Sequence, residues 1–268
     1  MMAILRTALL LGTLTAIFLL VGYIFAGIAG ATIALVLALL LNFVSYWYSD
    51  SFVLKLYKAK KYENKKIQAI IEKIAKKAEI PVPPLYIVDM KVPNAFATGR
   101  SPKHSAVAVT KGLMDTLTDE EIEGVLAHEM SHIKNRDTLV STMAATIAGA
   151  ISWLAYAFYF SNNEEKSPLS FVFLFILAPF AAMLIQLAVS RSREYGADKT
   201  GAMMADPLKL ADALEKISAS AKSMPIAGNS STAHLFIINP FRAGALTGLF
   251  STHPSTESRV KILRAMKK

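Results

Sequence analysis

The sequence contains no cysteine. That excludes a disulfide framework and thiolate metal ligands, so a metal here would have to be held by imidazole and carboxylate groups. A second absence concerns charge. From position 7 to position 49 there is no Asp, Glu, Lys or Arg, and the same holds for 138–163 and 167–190. Histidine is missing from these runs too. A hydrocarbon core ~30 Å thick is crossed by about 20 helical residues rising ~1.5 Å each. The first run is long enough for two crossings and the others for one each. Ionisable side chains within the membrane mark ion and proton pathways, so their lack argues against a transporter or channel, although Asn42 and Gln186 are polar. No internal repeat is present, which excludes a solenoid.

Of the 268 residues, 53% are hydrophobic, and the mean hydropathy is +0.40. The composition reads as an integral membrane protein with a water-facing domain. Gly27 and Gly30 mark a hairpin inside the first run. A cleaved leader is the rival explanation for that run, since Arg6 precedes it and small residues lie at 29–31. The second apolar stretch follows at once, where mature polar sequence would be expected. The organisation that results is an N-terminal transmembrane hairpin at 1–50, a first part of the polar domain at 51–137, a second transmembrane hairpin at 138–190, and a second polar part at 191–268.

The net charge of +9 is not evenly spread. Positions 49–137 carry 15 Lys and Arg against 12 Asp and Glu, and positions 190–268 carry 12 against 6. Arg6 lies on the same side as both, whereas 161–168 holds Glu164, Glu165 and Lys166. The positive-inside rule therefore places both termini and the polar domain in the cytoplasm of a multi-pass protein of the cell (inner) membrane. Lys55, Lys58, Lys60, Lys61, Lys65 and Lys66 directly follow a membrane segment, where such clusters meet anionic headgroups, so nucleic-acid binding is not inferred.

Within the polar parts, Ile67, Ile70, Ile71 and Ile74 give one apolar face to a helix over about 62–79, which Pro81, Pro83 and Pro84 terminate. Positions 85–88 and 106–110 read as short strands, and 92–99 reads as a loop by composition. Thr118-Asp119-Glu120-Glu121 is a capping box that starts a helix. Residues 193–204 are helical by pattern, and Asp206-Pro207 opens a further helix as N-cap and first residue. Positions 218–232, rich in Ser, Gly and Asn, read as a mobile loop, and a last helix spans about 255–267.

The capped helix carries H-E-M-S-H. Its two histidines, His128 and His132, are one turn apart on one face, so both imidazoles can reach a single cation. Glu129 lies beside them, where a carboxylate can take a proton from water activated at that cation. A catalytic zinc usually has three protein ligands. Glu194 and Asp198, again i and i+4, are the candidates for the third. One would ligate, and the other would hydrogen-bond the free ring nitrogen of a ligand histidine. His132 precedes the third apolar run and Glu194 follows the fourth, and two crossings return the chain to its starting side.

Four stretches carry a wider likeness: N-A-F-A-T-G at 94–99, H-E-M-S-H with I-K-N-R-D at 128–137, S-R-E-Y-G-A-D at 192–198, and S-T-H-P-S-T-E-S-R at 251–259. In them the sequence resembles the HtpX family of prokaryotic membrane zinc proteases, relatives of the CAAX prenyl endopeptidases. The resemblance implies a gluzincin-like domain, mainly α with a small β-sheet, combined with about four transmembrane helices. It implies one Zn2+ per chain held by His128, His132 and Glu194, with Glu129 as base. It also implies that His253 stabilises the oxyanion, and that Asp198, Arg259, Asn94 and Asn135 support the ligands or bind substrate. The implied task is quality-control cleavage of damaged or misassembled membrane proteins. Substrate would pair in extended form beside the 94–99 segment. The alternative is a catalytically weak zinc-binding adaptor or scaffold, against which Glu129 argues.

Overall fold

In a computed structural model, which describes residues 2–141, 191–223, 236–238 and 254–266, the first apolar run forms α1 (Met2–Leu56). The helix is broken at Ala26 and Gly27. Gly27 has φ 56° and ψ −140°, a conformation open to glycine but costly for a side chain. The two arms fold back on each other. Gly22 and Gly30 meet so closely that neither position has room for a Cβ, and Asn42 Nδ2 donates to Thr15 Oγ1 at 3.1 Å. Among the described residues one helical stretch, Ala26–Tyr48, is long and apolar enough to cross a membrane. Tyr46, Trp47 and Tyr48 are exposed at its end. The crossings expected at 138–163 and 167–190 lie outside the described residues, apart from 138–141.

Beyond the apolar stretch, α1 continues onto a four-stranded mixed sheet. Its strands are β1 (Lys60–Lys61), β2 (Leu85–Val88), β3 (Ala95–Ser101) and β4 (His104–Thr110), in the order β1-β2-β4-β3. β2 and β4 run parallel, and the outer pairs are antiparallel. Of the 92–99 segment, read from composition as a loop, residues 95–99 are therefore strand. Its small residues conceal an alternation. Phe96 packs with Val53, Val88 and Ala108 toward α1, whereas Ala95 and Ala97 face the main core. β3 pairs with β4 from Ala95 opposite Val109 to Ser101 opposite His104, and its other side is a sheet edge.

The core lies on the face away from α1. α2 (Lys65–Ala78), capped by Asn64, buries Ile67, Ile71 and Ile74 there. Each of these stabilises the fold by about 1.5–3 kcal/mol through area removed from water. α3 (Lys111–Thr116) is a short helix absent from the sequence reading, with Thr110 as its cap. α4 (Asp119–Lys134) starts where the capping box requires: Thr118 Oγ1 accepts from Glu121 N, and Glu121 accepts from Thr118 N. α4 is the central element, packed on β3, α2, α5 (Arg191–Met204) and α6 (Pro207–Ser223). α6 extends through the first part of the expected loop, and 224–232 lie outside the described residues. α7 (Thr256–Ala265) packs against α5 and α6.

Candidate metal centre

α4 is buried along almost its whole length, including the polar residues His128, Glu129 and Ser131. Polar groups are this deep only where they have partners. His128 and His132 aim their Nε2 atoms at one point and stand 3.2 Å apart there. Glu194 reaches the same point from α5, with Oε2 3.6 Å from His128 Nε2 and Oε1 3.6 Å from His132 Nε2. All three ligand atoms lie within 4.8 Å of one another. At Gly201 on α5, an added Cβ would come within 3.2 Å of the His128 backbone nitrogen, so a glycine there lets the two helices close on this point.

Behind each imidazole stands a carboxylate, and behind each carboxylate an arginine. His128 Nδ1 is 2.9 Å from Asp198 Oδ1. Arg259, only 2% exposed, grips Asp198 through Nε at 2.9 Å and Nη2 at 2.7 Å, and its Nη1 lies 3.4 Å from Glu194 Oε2. His132 Nδ1 is 3.2 Å from Asp137 Oδ2, and Arg193 Nη1 is 3.9 Å from Asp137 Oδ1. A carboxylate at Nδ1 holds the ring proton there and leaves the Nε2 lone pair facing the centre. The sequence reading did not include Asp137. The signal was available, because the second ligand histidine needs such a partner as much as the first. Asp137→Ala is expected to weaken metal affinity by about 10- to 100-fold in a competitive chelator titration. An unchanged affinity would show that His132 needs no such support.

Four carboxylates, those of Glu129, Asp137, Glu194 and Asp198, thus lie around the two histidines together with the guanidinium groups of Arg193 and Arg259. A donor set of two imidazoles and one carboxylate suits zinc. Titration follows the same electrostatics. Burial drives the Glu129 carboxyl above the usual range, with the two histidines opposing. Burial would lower His132, but Asp137, Glu194 and Glu129 outweigh it and lift the imidazole to about 9. Burial would raise Asp198, but His128 and Arg259 bring it down to about 2. Burial likewise opposes the charge on Arg259, and Asp198 and Glu194 restore it and raise its pKa.

Glu129 lies between the cluster and the sheet edge: it interacts electrostatically with His128, His132 and Glu194, and its Oε2 accepts the Ala97 N–H at 3.0 Å. Asn94 is buried just before β3, and its Oδ1 accepts from Ile237 N at 3.0 Å. That bond ties the short stretch 236–238 to the start of the edge strand. Asn135 is the exposed C-cap of α4. His253 lies outside the described residues.

The model of peptidase family M48 matches residues 61–267. A protein named Protease HtpX homolog from Persephonella marina is 48% identical over 97% of this chain and 96% of its own length. Another of that name from Pyrococcus furiosus is 49% identical, covering 97% of this chain and 94% of its own. The crystal structure of Ste24p from S. mikatae superposes on 94% of the chain with a TM-score of 0.54 at 18% identity, and so shares its fold. The chain spans 62% of that longer protein.

Proposed function

Because the chain belongs to peptidase family M48, we propose that it is a membrane-embedded zinc endopeptidase in which His128, His132 and Glu194 are the ligands and Glu129 the base. The observation that carries this reading is the cluster of three ligand atoms within 4.8 Å, on a buried helix that also carries Glu129. Zinc held there supplies Lewis-acid activation of water and of the peptide carbonyl. The residues do the rest. The Ala97 N–H fixes Oε2 of Glu129 and leaves the other oxygen to take the proton of the attacking water. Glu129 then delivers that proton to the departing amine nitrogen. Asp198 and Asp137 keep the two imidazoles in register, and Arg259 holds Asp198 and Glu194 in place. His253 is assigned to the developing oxyanion.

Substrate lies along the outer side of β3, a sheet edge among the described residues, as an added strand bound through its main chain and with loose side-chain preference. Ala26–Tyr48 anchors the enzyme in the inner membrane with its termini and catalytic domain in the cytoplasm. Its substrates are damaged or misassembled membrane proteins. The deciding experiment measures metal content and chelator-sensitive proteolysis of the detergent-purified protein. Zinc without proteolysis would favour the adaptor reading. Glu194→Ala is expected to reduce bound zinc from one per chain to a minor fraction, read by elemental analysis after dialysis. Full occupancy would mean that the third ligand is another residue.

A further inference from the structure

β3 and the last turns of α1 run side by side in opposite directions. Phe96 packs on Tyr57 with ring centroids 5.4 Å apart. Four residues later, Arg100 Nη1 donates to the Trp47 carbonyl at 2.8 Å, and its guanidinium lies 4.6 Å from the Trp47 ring centroid. Four strand residues advance ~13 Å, and the ten helical residues from Tyr57 back to Trp47 advance ~15 Å. The two elements therefore keep pace, and β3 follows the axis of α1.

Trp47 belongs to the last turn of the apolar stretch, between exposed Tyr46 and Tyr48. Such aromatic residues sit at the headgroup level of a bilayer, and an arginine beside them lies among the phosphates. The β3–β4 turn continues past Arg100 and carries the exposed Lys103. The tip of this hairpin thus stands at the membrane surface, and β3 climbs from it into the polar domain. Ala97, which holds Glu129, is three residues up the strand from Arg100, a rise of ~10 Å.

We infer that the Arg100–Trp47 contact fixes the catalytic centre about 10 Å above the headgroup level, with the pairing edge directed along the membrane normal. The favoured substrate is then an extended segment whose scissile bond lies about three to five residues from the end of a transmembrane helix. This rests on the peptidase reading above and specifies its substrate class. A strand entering beside β3 leaves the bilayer already aligned for pairing, whereas a distant loop must first fold back to the surface.

The test uses the full-length protein with zinc, in phosphatidylglycerol-containing nanodiscs. Single-span substrates carry one fixed cleavable sequence, set about 0, 4, 8 or 16 Gly/Ser residues from the helix end. The same sequence is offered as a soluble peptide. The rate should peak near the spacer of about 4 and fall roughly tenfold at about 16, as the effective concentration of a longer tether drops. Arg100→Ala should flatten this profile when each rate is divided by the same variant's rate on the soluble peptide. A flat wild-type profile, or a peak at the longest spacers, overturns the inference and leaves the peptidase standing. A sharp peak retained by Arg100→Ala removes the role given to that contact. If even the soluble peptide stays intact, the peptidase reading fails, and this one with it.

Discussion

Glu129→Gln is expected to retain its zinc and its fold and to lose roughly 10²- to 10⁴-fold in cleavage rate, the usual contribution of a positioned general base. The substitution is nearly isosteric. The glutamine carbonyl oxygen can still accept the Ala97 N–H that now engages Oε2, so the side chain has a reason to stay where it is. What disappears is the basic oxygen. Glu129 is assigned no ligand role, so elemental analysis should still find one zinc per chain. Its burial already disfavours the charged form, so replacing it with a neutral amide costs the fold little. The measurement is kcat on a casein-type substrate beside the melting temperature and metal content of one preparation. Proteolysis at the wild-type rate would remove the mechanism, and loss of zinc would relocate Glu129 among the ligands.

Arg259→Met should have the largest effect on stability. The guanidinium is nearly inaccessible and makes two hydrogen bonds to Asp198, which is itself 1% exposed. Removing one partner of a buried pair strands the other charge, at a cost of about 3–5 kcal/mol. For a domain of this size that lowers the melting temperature by roughly 10 °C. Zinc affinity should fall along with stability, because Asp198 is also what orients His128. Asp198→Asn added to Arg259→Met should recover part of the lost stability, since taking away both charges avoids the stranded one. It should not recover the zinc affinity. A melting curve unchanged by the single substitution would mean that the pair is not the keystone described.

What could be read directly from the chain was what local chemistry decides. The Thr118 and Glu121 capping bonds need only four consecutive residues, and α4 begins at Asp119 accordingly. The Asp206-Pro207 start of α6 is equally local. The spacing of Glu194 and Asp198 implied one shared partner, and the structure sets both beside His128. β3 is hard to see because its Ala, Gly, Arg and Ser residues favour no strand by themselves, and its pairing with β4 is supported by packing on α1. α3 is six residues long and hangs on the Thr110 cap and the buried Leu113, a matter of tertiary context. Asp137 escaped notice because it lies past the end of the histidine helix. It returns to His132 only because Arg136 takes a left-handed conformation, with φ 61°. Nothing in a helical arginine marks it for burial, and Arg259 comes chiefly from the family likeness.

The contributors to the centre enter the growing chain in a fixed order. α4 brings both histidines and Glu129, α5 brings Glu194 and Asp198 only after the whole of 138–190, and α7 brings Arg259 later still. At roughly 5–20 residues per second, about 6 to 25 seconds separate His132 from Arg259 on the ribosome. Throughout that interval the nascent protein shares its membrane with other unfinished chains, yet it lacks either the third ligand or the clamp that holds it. With the ligands assigned as proposed, splitting the set across the 138–190 stretch delays assembly of the centre until α5 has been made. On the reading proposed above, the centre is complete only once α7 has been made.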